Sequence, residues 1–60
     1  MNKIKEYRKS NGITQIELAK KLNVKQSTIA NWETEYRNPS IKQAIEIAKI
    51  LKTTVENLYK

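Results

Sequence analysis

T-Q-I-E-L-A-K-K-L-N-V-K-Q-S-T-I-A-N-W-E, residues 14–33, decides the fold. Thr14 stands three residues before Glu17, the capping-box spacing in which hydroxyl and carboxylate each satisfy the other residue's exposed amide. The box predicts a helix that opens there and runs through Leu18, Ala19 and Leu22. Asn23 ends it, because Asn tolerates the left-handed backbone that a helix end often needs. Val24 sits in the turn and plugs the corner. A second helix follows from Lys25 or Gln26 to Glu33, with Ile29 and Trp32 on its inner face. The two helices cross steeply, so the small Ala19 belongs where they approach. Lys25, Gln26, Ser27, Thr28, Ala30 and Asn31 share the outer side. They are short or polar and only one is charged, the kind of surface that can approach base edges in a major groove just wide enough for a helix.

Outward from this segment the helical pattern continues. Upstream, Ile4 and Tyr7 share one face of a helix over about Asn2–Ser10, stopped by Asn11-Gly12. Downstream, Thr34–Pro39 is polar and contains Asn38-Pro39, so it reads as a loop. Ser40 with Gln43 forms a second capping box, opening a helix that ends near Leu51. Its stripe of Ile41, Ala44, Ile45, Ala48 and Leu51, widened by Ile47 and Ile50, is expected to be core, with an exposed end free for a dimer interface. Thr53 or Thr54 caps a last short helix ending near Leu58. With one glycine and one proline the chain has too few turn residues for a strand-rich domain. The expectation is an all-α fold, five helices and no strands, forming one domain over residues 1–60.

Composition narrows the function. Sixty residues without Cys or His exclude disulfides, thiol nucleophiles and imidazole bases, and the six carboxylates are scattered. No enzyme activity, metal or cofactor is expected. Twelve Lys and Arg against six acidic residues give a net charge of +6, which points to a polyanionic partner. No apolar run approaches the ~18 residues that span a bilayer, and M-N-K-I-K-E-Y-R-K-S has no secretory apolar stretch. The protein is expected to be cytoplasmic and without a membrane partner.

A resemblance rests on I-K-E-Y-R-K, then G-I-T-Q-I-E-L-A-K-K-L-N-V, K-Q-S-T-I-A-N-W-E, R-N-P-S and I-E-I-A-K-I-L. Over roughly residues 3–58 the chain resembles the Cro/C1-type helix-turn-helix domain, the family of phage repressors and small Xre-like regulators. T-Q-x-E-L-A with W-E-x-x-x-R-N-P-S at this spacing is highly specific. The resemblance implies a five-helix, lambda-repressor-like domain with a helix-turn-helix over about residues 14–33. It implies sequence-specific binding of double-stranded DNA by a small, repressor-like transcriptional regulator, with the recognition helix, about Lys25–Glu33, in the major groove.

Residue by residue, the resemblance sets Gln15 beside the phosphate backbone. It sets Gln26 and Ser27 at base edges, with Thr28 and Asn31 on the same recognition helix. Lys25, Arg37, Asn38 and Lys42 fall where the family contacts phosphates. Arg8 and Glu33 match a family pair that ties the first helix to the third through a buried ion pair. Three positions depart from the pattern. Asn23 replaces the usual turn glycine, Glu35 replaces the glycine common after the third helix, and Lys25 stands where a Ser cap is frequent.

Bland alternatives apply to several of these. Trp32 is read as core, Lys9 as a cation favoured by a helix C-terminus, and Gln26 as a base reader whose planar amide matches the N7 and N6 edge of adenine. A homodimer on a palindromic operator is expected, with half-sites ~34 Å apart and Val55, Leu58 and Tyr59 as the self-association surface. No small-molecule effector is expected. The competing reading is a protein-interaction module, such as the antitoxin or accessory partner of a toxin or phage-type system. A membrane-active peptide fits poorly, since the apolar faces are spaced to meet one another.

Overall fold

Both capping boxes form as their spacing demands, and they set the start of two of the five helices. The Thr14 hydroxyl accepts from the Glu17 amide at 3.1 Å and the Thr14 amide donates to the Glu17 carboxylate at 2.9 Å. The Ser40 and Gln43 pair repeats this at 3.1 and 2.9 Å. The computed structural model describes residues 1–60 and contains α1 (Ile4–Ser10), α2 (Gln15–Leu22), α3 (Gln26–Glu33), α4 (Ile41–Ile50) and α5 (Val55–Leu58). There are no strands. Thr54, not Thr53, caps α5, accepting from the Asn57 amide at 3.1 Å.

Three helices end in the same reversal. Gly12, Asn23 and Lys52 each adopt a left-handed backbone, with φ of 67°, 58° and 58°. In each case the next residue's amide reaches back five residues: Ile13 to Arg8, Val24 to Ala19, and Thr53 to Ala48. This closes orphan carbonyls at the helix ends. Glu35, where a glycine is common, also takes a left-handed φ of 64°. A non-glycine residue held this way costs about 1–2 kcal/mol.

α1 starts at Ile4, two residues later than its pattern suggests. The Asn2 side chain accepts from the Ile4 amide at 3.2 Å, and the Lys3 amide donates to the Leu58 carbonyl at 2.6 Å. Both bonds hold residues 2 and 3 outside the helix.

The core joins all five helices through Ile4, Leu18, Ala19, Ile29, Trp32, Ile47, Ala48, Leu51 and Leu58. Val24 and Leu22 pack against its edge at the α2–α3 corner. α2 packs on both α3 and α4, α1 on α3, and α5 on α4. Two expectations need correction. On α4 the inward face is Ala44, Ile47, Ala48 and the capping Leu51, while Ile41 and Ile45 are 82% and 44% exposed. Ile45 is one residue, about 100° of rotation, past Ala44, and Ile41 lies in the first turn beyond the core's edge. Leu58 is fully buried and Val55 packs beside it, so this part of the C-terminal segment completes the chain's own core and is not free to associate. No helix is long and apolar enough to cross a membrane.

Candidate nucleic-acid interface

With Ile29 and Trp32 buried, α3 turns its other side outward. Gln26 and Ser27 are exposed in its first turn, and Thr28, Ala30 and Asn31 are half-exposed. Lys25 precedes the helix without a side-chain cap bond, as its replacement of a Ser implies. The helix is therefore anchored by packing and by one polar junction beneath it.

That junction begins with Arg8, which is buried. Its Nε donates to Glu33 Oε2 at 2.6 Å, its Nη2 to Glu33 Oε1 at 3.4 Å, and its Nη1 to the Ile13 carbonyl at 2.8 Å. The side chains are 10% and 3% exposed, so the pair is desolvated and links α1 to α3. Glu33 Oε1 also accepts from Gln15 Nε2 at 3.0 Å, and Gln15 Oε1 accepts from Gln26 Nε2 at 3.2 Å.

This chain of bonds has a direction. A guanidinium only donates and a carboxylate only accepts. Glu33 therefore turns the NH2 of Gln15 inward, which leaves the Gln15 oxygen for Gln26. Gln26 must offer its own NH2 there. What remains at the exposed end is the Gln26 oxygen and one amide hydrogen, with a fixed left-right order. The family resemblance anticipates the Arg8–Glu33 pair. It does not anticipate the Glu33–Gln15 bond, which depends on how steeply α2 crosses α3.

The loop after α3 is tied back to the helix. The Asn31 carbonyl accepts from the Arg37 amide at 3.3 Å, and the Thr34 hydroxyl donates to the Ala30 carbonyl at 3.1 Å. The Arg37 guanidinium carbon lies 5.5 Å from the centre of the Tyr36 ring. Arg37, Asn38, Lys42 and Lys25 are exposed. Of the twelve Lys and Arg side chains only Arg8 enters an ion pair. The remaining positive charge is uncompensated by contacts within the chain and free to meet an external anion.

Two further residues join the region: Glu35, noted in the sequence only for replacing a glycine, and Asn2, which nothing in the sequence singles out. The Asn2 amide donates to Glu35 Oε2 at 3.0 Å, and Asn2 Nδ2 donates to the Trp32 carbonyl at 2.8 Å. The one hint is Glu35 itself, a charged residue where the backbone favours glycine.

A helix-turn-helix family model matches residues 4–58. The chain is 40% identical over 57 residues to an uncharacterized HTH-type transcriptional regulator of Archaeoglobus fulgidus, covering 95% of this chain and 81% of that protein. It is 41% identical over 54 residues to Antitoxin HipB of Escherichia coli O6:H1, covering 90% of this chain and 57% of the antitoxin. The crystal structure of SinR, the master regulator for biofilm formation, in complex with DNA superposes with a TM-score of 0.84 at 34% identity, covering 95% and 92% of the two chains.

Proposed function

The chain belongs to the helix-turn-helix family, of the Cro/C1 type, and from that premise we propose that it is a small transcriptional regulator binding double-stranded DNA in a sequence-specific manner. The observation that carries the reading is the directed relay Arg8–Glu33–Gln15–Gln26. It ends in an amide whose oxygen and remaining hydrogen match the N6 donor and N7 acceptor of adenine. Gln26 reads that base. Ser27, Thr28 and Asn31 form the rest of the base-facing surface. Gln15 keeps a second amide hydrogen for a phosphate, and Lys25, Arg37, Asn38 and Lys42 supply the other backbone contacts. Such contacts position the protein while base contacts specify the site. The structural likeness to SinR, solved in complex with DNA, supports the DNA-binding reading.

One recognition helix covers too few base pairs to mark a unique site, so two copies on an inverted repeat complete the reading. With Leu58 committed to the core, the surface for the second copy is the outer edge of α4, where Ile41 and Ile45 are exposed one turn apart. Half-sites then lie ~34 Å apart, one helical turn of DNA. Selection of bound duplexes from a random pool, followed by sequencing, tests both points. An enriched inverted repeat is expected. An unenriched pool refutes sequence-specific binding, and an enriched single site without symmetry refutes the dimer.

A second reading, an antitoxin's partner-binding module, is favoured by the match to Antitoxin HipB, of which this chain covers 57%. It predicts binding to a toxin protein and tolerates weak, unselective DNA binding, so the same selection separates the two.

A further inference from the structure

We propose that Asn2 and Glu35 are positioning residues for DNA binding: they clasp the segment before α1 to the end of α3, and so hold the loop of residues 34–39, with Arg37 and Asn38, in register with the phosphate backbone. The role rests on the DNA-binding reading above.

Asn2 makes three bonds. Its amide donates to Glu35 Oε2 at 3.0 Å, its Nδ2 donates to the Trp32 carbonyl at 2.8 Å, and its Oδ1 accepts from the Ile4 amide at 3.2 Å. It therefore satisfies an orphan amide at the start of α1 and gives a second donor to a carbonyl at the end of α3 with one side chain. The Trp32 carbonyl also accepts from the Glu35 amide at 3.2 Å. Together with the bonds to the Ala30 and Asn31 carbonyls, the loop is pinned to three successive residues of α3's last turn.

Glu35 is the costly member. Its φ of 64° is a conformation that glycine adopts without steric penalty. Its carboxylate would also repel phosphates if it faced them. The side chain instead reaches the backbone of a residue 33 positions away. The N-terminal ammonium, 3.9 Å from Glu35 Oε2, holds that carboxylate on the side of the terminal residues, and the phenol of Tyr59 is raised above its ordinary pKa first by burial and then by the charge of Glu35. The clasp thus turns an acidic residue in a DNA-facing loop away from the anion and uses it to fix the cation that follows, Arg37.

The test uses a fluorescein-labelled duplex of mixed sequence, because phosphate contacts do not depend on sequence. Affinity is measured against salt concentration, well below the thermal transition, for the wild type, Asn2→Ala, Glu35→Gly, Arg37→Ala and the double variant Glu35→Gly with Arg37→Ala. Losing a negative charge should by itself strengthen binding to a polyanion. The clasp predicts the opposite: Asn2→Ala and Glu35→Gly each weaken binding and flatten the logarithmic salt slope by about 0.9, the value of one lost phosphate contact. Glu35→Gly keeps or raises the melting temperature, since glycine relieves the backbone, which separates positioning from stability. In the Arg37→Ala background Glu35→Gly flattens the slope no further. A wild-type slope in both single variants overturns the proposal, and so does an undiminished effect of Glu35→Gly without Arg37. A wild-type protein whose binding ignores salt refutes the DNA-binding reading itself, and this role with it.

Discussion

Glu33→Gln removes one charge and almost no volume from the junction of α1, α2 and α3. Arg8 then keeps a buried positive charge faced only by neutral acceptors, the Ile13 carbonyl at 2.8 Å and the amide oxygen of the substituted side chain. The pair is desolvated on both sides, 10% and 3% exposed. Breaking a buried pair by removing one partner costs about 3–5 kcal/mol. A domain of this length has only about 3–9 kcal/mol in total, at 0.05–0.15 per residue. The variant is therefore expected to lose half or more of the domain's stability, read as a much lower urea midpoint by helical circular dichroism. Replacing the whole pair by apolar residues, Arg8→Met with Glu33→Leu, leaves no buried charge and recovers most of that stability. It also takes away the acceptor that orients Gln15. The double variant should fold yet discriminate poorly between its selected DNA site and a scrambled one. If Glu33→Gln costs less than about 1 kcal/mol, the level of an exposed pair, the junction is solvated and the reasoning fails.

Three other outcomes follow from the same structure. Lys52→Gly should raise stability by up to about 1 kcal/mol, because it relieves a left-handed backbone at an exposed helix end; a lower urea midpoint would contradict it. Glu17 has its pKa lowered, first by the Thr14 amide and then by the Thr14 hydroxyl. A depressed folded-state pKa gives stability that is present above the unfolded value and lost as pH falls through the folded one. NMR titration of the Glu17 carboxyl should therefore give a midpoint below that of a glutamate in an unstructured peptide, and an equal midpoint would mean the box is open. Lys42→Ala should weaken binding to all sequences alike and flatten the salt slope by about one unit; an unchanged slope removes Lys42 from the phosphate contacts.

The parts of the fold that are legible in the sequence are those fixed by neighbours a few residues apart. Thr14 and Glu17, and Ser40 and Gln43, find each other within one turn, so both boxes stand where the spacing puts them. Asn23 takes the left-handed reversal for the same local reason. The start of α1 is not legible, because it is set by the Lys3–Leu58 bond across the whole chain. The α4 stripe misleads because seven apolar positions in eleven residues overfill one helical face. Only the packing of α2 and α5 decides that Ile47 is buried while Ile41 and Ile45 are exposed. At the interface, the Arg8–Glu33 pair is readable by resemblance. The sense of the Gln15 and Gln26 amides is not, since it comes from the carboxylate at the root of the relay.

The central claim, that Gln26 reads sequence from a pre-oriented amide, is tested most directly by the affinity of Gln26→Ala for the selected duplex and for a scrambled one at the same salt. A bidentate base contact is worth about 1–3 kcal/mol against the wrong base. The account predicts that affinity for the selected duplex falls by that amount, while affinity for the scrambled duplex stays near the wild-type value because the phosphate contacts persist. Equal losses on both duplexes would contradict it, making Gln26 a positioning residue and passing the base reading to Ser27 and Asn31.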